Sequence, residues 1–331
     1  MNTNFNNKTI LITGGAGFIG SNIAFYLQKK YPDSKIIIFD IFRNGETFNN
    51  GSLKSYGHYK NLIGFKGIVI CGDITNDQDL NKLKEFKLDY IFHQAAISDT
   101  RVYNQELIMK TNVNSFYKLL EISKKNNSIL VYASSAATYG SNPAPQKIGD
   151  ESPENPYAFS KYCMDQIAYE YLKKHPKMHI IGLKFFNVYG EKEYFKEKSS
   201  SMILQIGHQI LAKKSPRLFF DSDKIMRDFI YIKDVVEANI LACFAKKKGI
   251  YNVGTGINRS FYDIVTILQQ ELNTDLIIEY FKNPYTGYQM NTKADISLTQ
   301  DFLNFKPNYT LEKGIKEYIP YIKQTFNWNN K

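Results

Sequence analysis

Apolar residues in the first half of the chain follow two alternating rhythms. Short unbroken runs rich in Ile and Val, such as TILIT and KIIIFD, predict strands over 9–13, 35–40, 67–71, 89–93, 129–135 and 179–186. Between them lie stretches with helical spacing, such as 17–30, where Ile19, Ile23 and Leu27 recur every four residues. Strands that are apolar throughout, with a helix between each pair, predict a mostly parallel sheet covered on both faces. The segment 187–227 breaks this rhythm with the charged stretch GEKEYFKEKSSSM; DFIYIKDV then resumes it, and YNVGTG reads as one more short strand and turn. No internal repeat or low-complexity tract interrupts the pattern.

TGGAGFIG follows the first predicted strand and opens the first predicted helix. Gly14, Gly17 and Gly20 suit a tight turn, the approach of a pyrophosphate to the backbone, and close packing of the helix on the sheet. Phosphates bind at such a helix start because its free N–H groups point outward. An acidic residue about 20 positions later, Asp40, completes a dinucleotide-binding fingerprint. The expected fold is therefore a Rossmann-type, doubly wound α/β domain over 1–186 and 228–258, with a smaller, discontinuous α/β lobe over 187–227 and 259–331. Asp40 would accept hydrogen bonds from the adenosine ribose and favour NAD, whereas Arg43 could hold a 2′-phosphate and favour NADP. Both readings stand at this point. Asp73, in CGDIT, could meet the adenine or cap the next helix.

Composition narrows the classes. With 331 residues, 43% hydrophobic and 22% charged, the chain can bury a sizeable core. No basic-then-apolar start marks a signal peptide, and no apolar run approaches the roughly 20 residues of a membrane span, so a cytoplasmic protein without a membrane partner is expected. Cys71, Cys163 and Cys243 stand apart with no CxxC, which reads as three small core residues and no metal site. The formal charge of +10 would suit nucleic acid, but the lysines are scattered and the longest basic run is Lys246–Lys248. A compositional bias accounts for it, and no nucleic-acid partner is expected.

YASSAATYG ends an apolar run on Ser134 and Ser135, and YAFSK then sets Tyr157 four residues before Lys161, on one face of a helix. A free Tyr, with a pKa of roughly 10, is a poor base at neutral pH. A neighbouring ammonium, helped by a positive nicotinamide ring, would lower that value. Ser135 can donate a hydrogen bond to a substrate oxygen. Tyr157, Lys161 and Ser135 thus read as a device that moves a proton while a cofactor moves a hydride.

Together these motifs resemble the extended short-chain dehydrogenase/reductase superfamily, over nearly the whole chain. YASSAATYG, FFNVYG, SPRLF, RDFIYIKDV, YNVGTG and GYQMNTKAD narrow the resemblance to its nucleotide-sugar epimerases acting at C6 of an ADP-heptose, in assembly of the lipopolysaccharide core. That resemblance implies oxidation of C6 to a ketone and re-reduction from the opposite face by tightly bound NADP, one per subunit, with NAD as the alternative. It implies a homo-oligomer, in this family a pentamer. It also implies two acid/base groups: Tyr157 and, nine residues after the Asn of FNVYG, Lys196. Phe18 and Ile19 would lie at the pyrophosphate and Ile41 beside Asp40. Gln94, Ala95, Ala96, Ile97, Ser98, Asn112 and Val188 would surround the nicotinamide side. Asn187, Lys198, Gln205, Phe219, Phe220, Asp221, Ser222, Arg227 and Tyr288 fall where the family holds the ADP-sugar. Lys198 and Gln205 replace a Ser and a His common in relatives, and the segment 48–67 is longer than usual.

Two other readings compete. A UDP-hexose 4-epimerase would share the fold but would not need a base at Lys196, and a dehydratase would carry an acidic pair where Ala136 and Ala137 stand. A cofactor-sensing regulator would dispense with Tyr157 or Lys161, and both are present.

Overall fold

The computed structural model describes residues 4–283 and 289–328. In chain order its strands are β1 (Thr9–Thr13), β2 (Lys35–Asp40), β3 (Ile68–Cys71), β4 (Tyr90–His93), β5 (Ile129–Ser135), β6 (His179–Phe185), β7 (Asn187–Tyr189), β8 (Arg217–Phe219), β9 (Met226–Tyr231), β10 (Gly249–Val253), β11 (Asn258–Ser260) and β12 (Glu279–Phe281). Its helices are α1 (Phe18–Lys30), α2 (Asp77–Asn81), α3 (Gln105–Ile108), α4 (Ser115–Asn126), α5 (Pro156–Lys174), α6 (Met202–Leu211), α7 (Ile232–Ala242), α8 (Phe261–Leu272), α9 (Ser297–Leu303) and α10 (Leu311–Trp328).

Seven strands make one parallel sheet in the order β10-β6-β5-β4-β1-β2-β3. The period of two within each strand sorts its side chains onto two faces. Ile10, Ile12, Ile36 and Ile38 pack with α1 and α7, whereas Leu11, Ile37, Phe39, Ile91 and Leu130 pack with α4 and α5. Both faces are dry, which is why these strands read as unbroken apolar runs. The order reverses at β1, so a crevice opens beyond the C-terminal ends of β1 and β4, where such sheets bind ligands.

RDFIYIKDV contributes to both parts of the molecule. Its strand, β9, pairs with β7 and β11 in a separate three-stranded sheet, while its helix, α7, returns to pack against α1. Strands β8 and β12 form a third, two-stranded parallel sheet. Helices α6, α8 and α10 pack together over this smaller lobe, and their Ile203, Leu268 and Ile322 are continuous with the α1 side of the main core. Of the cysteines, only Cys243 is buried; Cys71, on the edge strand β3, is exposed, and Cys163 is half-buried.

The glycine turn shows why Gly14 and Gly20 exclude a side chain. Gly14 has φ 65°, and a Cβ there would stand 2.7 Å from the Ala95 nitrogen. At Gly20 a Cβ would stand 2.4 Å from the Gly14 carbonyl, so α1 packs directly on the turn that precedes it. Gly17 is the α1 N-cap and has no side chain to occupy the first-turn amides. Gly15 is also constrained, by Ile38 at 2.8 Å. Gly20→Ala should cost about 1–3 kcal/mol through overpacking and should open the turn. Urea denaturation together with cofactor content of the purified protein checks this; a variant of parental stability with cofactor bound would contradict it.

Candidate active site

A cavity of about 490 Å³ occupies the crevice beyond β1 and β4. It is lined by the glycine turn with Phe18 and Ile19, by Asp40, Ile41 and Asp73 at the ends of β2 and β3, and by Gln94, Ala95, Ala96, Ile97 and Ser98 after β4. Ser135, Tyr157, Lys161, Val188 and Lys196 close its far end, and Phe48 with 53–57 roofs it from the long β2–β3 connection. Two expected cofactor residues lie elsewhere. Asn112 is fully buried in a π-helical turn behind the cavity, where its side chain bonds the Ile97 amide and carbonyl and the Ser160 hydroxyl. It holds the 94–98 loop from the rear.

Arg43 is the second. Its Nη1 donates to Glu197 at 2.9 Å and its Nη2 to the Phe195 carbonyl, outside the cavity. Asp40 is also committed to its own chain: one carboxylate oxygen accepts from the Ala16 amide at 3.0 Å and the other from the Phe42 amide at 2.8 Å. Gly57 crowds that second oxygen so closely that a Cβ would stand 2.1 Å from it. Burial raises the Asp40 carboxyl while the two amides oppose the rise. Asp73 accepts from the Thr75 amide within a turn, and Asn76 is the cap of α2.

The residues expected to handle a proton, Tyr157 and Lys161, are positioned by α5. Asn155 caps this helix by accepting from the Ala158 amide, and Pro156, lacking an N–H, starts it without loss. Tyr157 and Lys161 then face the end of β5. Lys161 Nζ donates to the Ala133 carbonyl at 2.7 Å and lies 5.9 Å from the centre of the Tyr157 ring. Burial lowers the Lys161 ammonium to about 8, partly opposed by Asp165. The Tyr157 phenol is pushed up by burial, with a hydrogen bond to Ser135 pulling the other way and Asp165 adding to the rise. In the protein alone, then, the Lys161 ammonium sits on a carbonyl and desolvation dominates the phenol; the positive nicotinamide ring expected to act with Lys161 is the remaining contribution.

Behind these groups lies a network that the sequence reading missed. Asp165 accepts from the Tyr132 hydroxyl at 2.8 Å, the Ser134 hydroxyl at 2.9 Å and the Lys184 ammonium at 2.6 Å, all buried. Lys184 also bonds Thr138 at 2.8 Å and pairs with Glu151 at 3.2 Å. The available signal was the spacing, since Asp165 falls four residues after Lys161 on the same helical face.

Lys196 enters the cavity from the charged stretch after β7, a 3₁₀ turn over Tyr194–Ser199. Burial lowers its ammonium, with Glu193 and Asp99 acting in the opposite direction. Asp99, a wall of the cavity, bonds Arg101 and Ser52; burial would push its carboxyl up, but those bonds bring it to about 2. Glu193 is wholly buried and accepts from the Gly190 amide, from the Ser201 amide and hydroxyl, and from the Tyr318 hydroxyl. Nothing in EKEYFKEK marked Glu193 as buried. Lys198 is exposed.

Of the expected substrate residues that are described, Ser135 alone lines this cavity. Asn187 is exposed at the start of β7, and Gln205 donates to the Ser200 carbonyl beside a second hollow. Phe219 packs on Phe281, Phe220 stacks on Tyr280, Asp221 pairs with Lys224, and Ser222 is buried. Arg227 donates to the Met226 and Gln289 carbonyls. Tyr288 lies outside the described residues.

A Rossmann crevice with a Tyr–Lys pair defines a nicotinamide-dependent enzyme class, and the chain belongs to the NAD dependent epimerase/dehydratase family, whose model matches residues 10–254. It is 33% identical over 325 residues to the ADP-L-glycero-D-manno-heptose-6-epimerase of Brachyspira hyodysenteriae, covering 96% of this chain and 98% of that protein. The crystal structure of the Helicobacter pylori ADP-L-glycero-D-manno-heptose-6-epimerase matches with a TM-score of 0.88 at 46% identity, covering 98% of this chain and 99% of that one. A UDP-N-acetylglucosamine 4-epimerase from Methanobrevibacter ruminantium matches with a TM-score of 0.85 at 28% identity, covering 96% and 99%.

The cavity suits a dinucleotide: Gly14, Gly17 and Gly20 put no side chain on the turn where phosphates would approach the backbone, and the Gln94 Oε1 is buried there without a partner among the described residues. Lys161 carries a testable cost. Unfolded, it titrates near 10.5; folded, near 8. Between these values the unfolded chain binds more protons, so this group makes stability rise with pH across that window, and its full penalty applies below it. Cofactor-free Lys161→Met should be more stable than its parent at pH 7 by up to about 3 kcal/mol. The gain should shrink from pH 8 to 10.5 in urea titrations; a pH-independent difference would assign it to packing instead.

Proposed function

We propose that this protein converts ADP-D-glycero-D-manno-heptose to ADP-L-glycero-D-manno-heptose by inverting C6 through a transient ketone. The observation that carries the reading is that two proton carriers, Tyr157 and Lys196, line one cavity. Inversion presents the C6 hydroxyl in two orientations, so one group serves each. Tyr157, bonded to Ser135, takes or returns the proton for one epimer, and Lys196 does so for the other. A bound nicotinamide dinucleotide would supply the hydride acceptor and a positive ring charge near Tyr157. Burial lowers the Lys196 ammonium from its ordinary value, the direction that makes it easier for this group to give up a proton. The sugar nucleotide would be held by the lobe over 187–227 and 259–331, with Arg227 and Tyr288 among its contacts. Incubation with the D-glycero substrate, followed by NMR at C6, tests the assignment; inversion at C4 of a UDP-hexose without inversion at C6 would favour the 4-epimerase.

Tyr157→Phe should lose roughly 10²–10⁴ in rate while keeping its cofactor, because only the hydroxyl is removed. Lys196→Met should cripple epimerisation, and Lys198→Met should chiefly raise KM. An inactive Lys198→Met beside a near-normal Lys196→Met would reverse the two assignments.

NADP is the proposed cofactor. Asp40 spends both oxygens on backbone amides, and Lys54 is a cation on the cavity wall near that end of the sheet. Acid extraction of the purified protein should release NADP or NADPH; release of NAD alone would make Asp40 the selector after all.

A further inference from the structure

We propose that Arg43 is a positioning residue for Lys196, clamping the turn that carries this second proton carrier, and is not a reader of the cofactor's phosphate. The proposal rests on the reading of Lys196 given above.

Arg43 holds the residues on both sides of Lys196: Nη2 donates to the Phe195 carbonyl and Nη1 to the Glu197 carboxylate at 2.9 Å. Its guanidinium carbon lies 5.8 Å from the centre of the Phe195 ring. The same β2–β3 connection fastens the turn twice more. His58 stacks on Phe195 with ring centres 3.7 Å apart and planes within 3°, and the Tyr56 hydroxyl donates to Ser199 at 2.8 Å. Arg43 is absent from the lining of the dinucleotide cavity, although its chain neighbours Asp40 and Ile41 belong to it.

The turn needs such a hold. Glu197 has φ 52° and ψ −123°, a conformation that L-residues avoid, directly after Lys196. Strain of this kind persists only where the surroundings over-determine it. Glu193 pins the start of the turn, since the Lys196 amide donates to its carbonyl at 2.9 Å and its buried carboxylate is bonded within the smaller lobe. Arg43 pins the end, from the opposite side of the crevice. A planar guanidinium can serve a carbonyl and a carboxylate together, whereas a lysine ammonium on a shorter geometry serves them less well. Arg43, three residues after the β2 acid, therefore links the dinucleotide-binding domain to the second proton carrier.

The test uses the holoenzyme and the variants Arg43→Met and Arg43→Lys. Hydrogen–deuterium exchange at 194–200 should speed up about tenfold or more in Arg43→Met as local opening becomes easier, with a smaller change in Arg43→Lys. Turnover should fall roughly 10²-fold from misplacement of Lys196, with KM and the affinities of the stripped protein for NADP⁺ and NAD⁺ near parental. Arg43→Lys should recover part of the rate. Unchanged exchange at 194–200 would overturn the clamp, faster exchange with intact turnover would overturn the positioning role, and a loss of affinity for NADP⁺ but not NAD⁺ would make Arg43 a reader of the phosphate and overturn the proposal. Lys196→Met assayed in parallel separates the two ideas: an active Lys196→Met overturns the base assignment and the positioning role with it, whereas the exchange measurement judges the physical clamp without reference to activity.

Discussion

The carboxylate of Asp165 is the point on which the catalytic end of the molecule is assembled. A buried charge is tolerable only when it is paired and hydrogen-bonded. Asp165 meets that demand by drawing Tyr132 and Ser134 from β5 and Lys184 from β6 onto one face of α5. Two helical turns earlier on that face stands Tyr157, and one turn earlier stands Lys161. The register of α5 against the sheet, and hence the approach of Tyr157 to Ser135, follows from satisfying this one carboxylate. Its charge also offsets part of the cost of burying the Lys161 ammonium and adds to the energy needed to ionise Tyr157.

The opposite wall of the cavity is built by a different logic. Lys196 sits on a short strained turn whose two ends answer to different parts of the protein. Glu193, sealed in the smaller lobe, bonds Tyr318 of α10, so the C-terminal helix bears on the placement of a residue far from it in sequence. The β2–β3 connection reaches the other end through Arg43, Tyr56 and His58, and its Ser52 meets Asp99 on the cavity wall. This connection thus both roofs the cavity and joins it to the turn.

The two carriers also differ in how the protein prepares them. Tyr157 is harder to ionise in the chain alone than in water, because burial outweighs its Ser135 bond. The Lys196 ammonium is lowered by burial, against two acidic neighbours. Burial thus acts in opposite directions on the two groups, raising the phenol and lowering the ammonium, because it disfavours the charged form of each.

How much of this could be read from the chain itself depended on the range of the forces involved. The strands at 9–13, 35–40 and 129–135, the glycine turn and the Tyr157–Lys161 pair were legible because periodicity, backbone sterics and helical spacing act within a few residues. The count from Asn187 to Lys196 could select a lysine, but not the cavity it enters. The contacts of Arg43 and Glu193 could not be read from the chain for one physical reason: each is an ionised side chain with a partner on a distant segment. Arg43 was expected at a phosphate because its sequence neighbours are there, yet folding brought Glu197 and the Phe195 carbonyl within its reach first. Glu193 looked like a solvated charge until Ser201 and Tyr318 enclosed it. Local sequence determined the elements and the proton-moving motif; tertiary packing alone decided which charges are buried, because desolvation depends on everything around a group and not on its place in the chain.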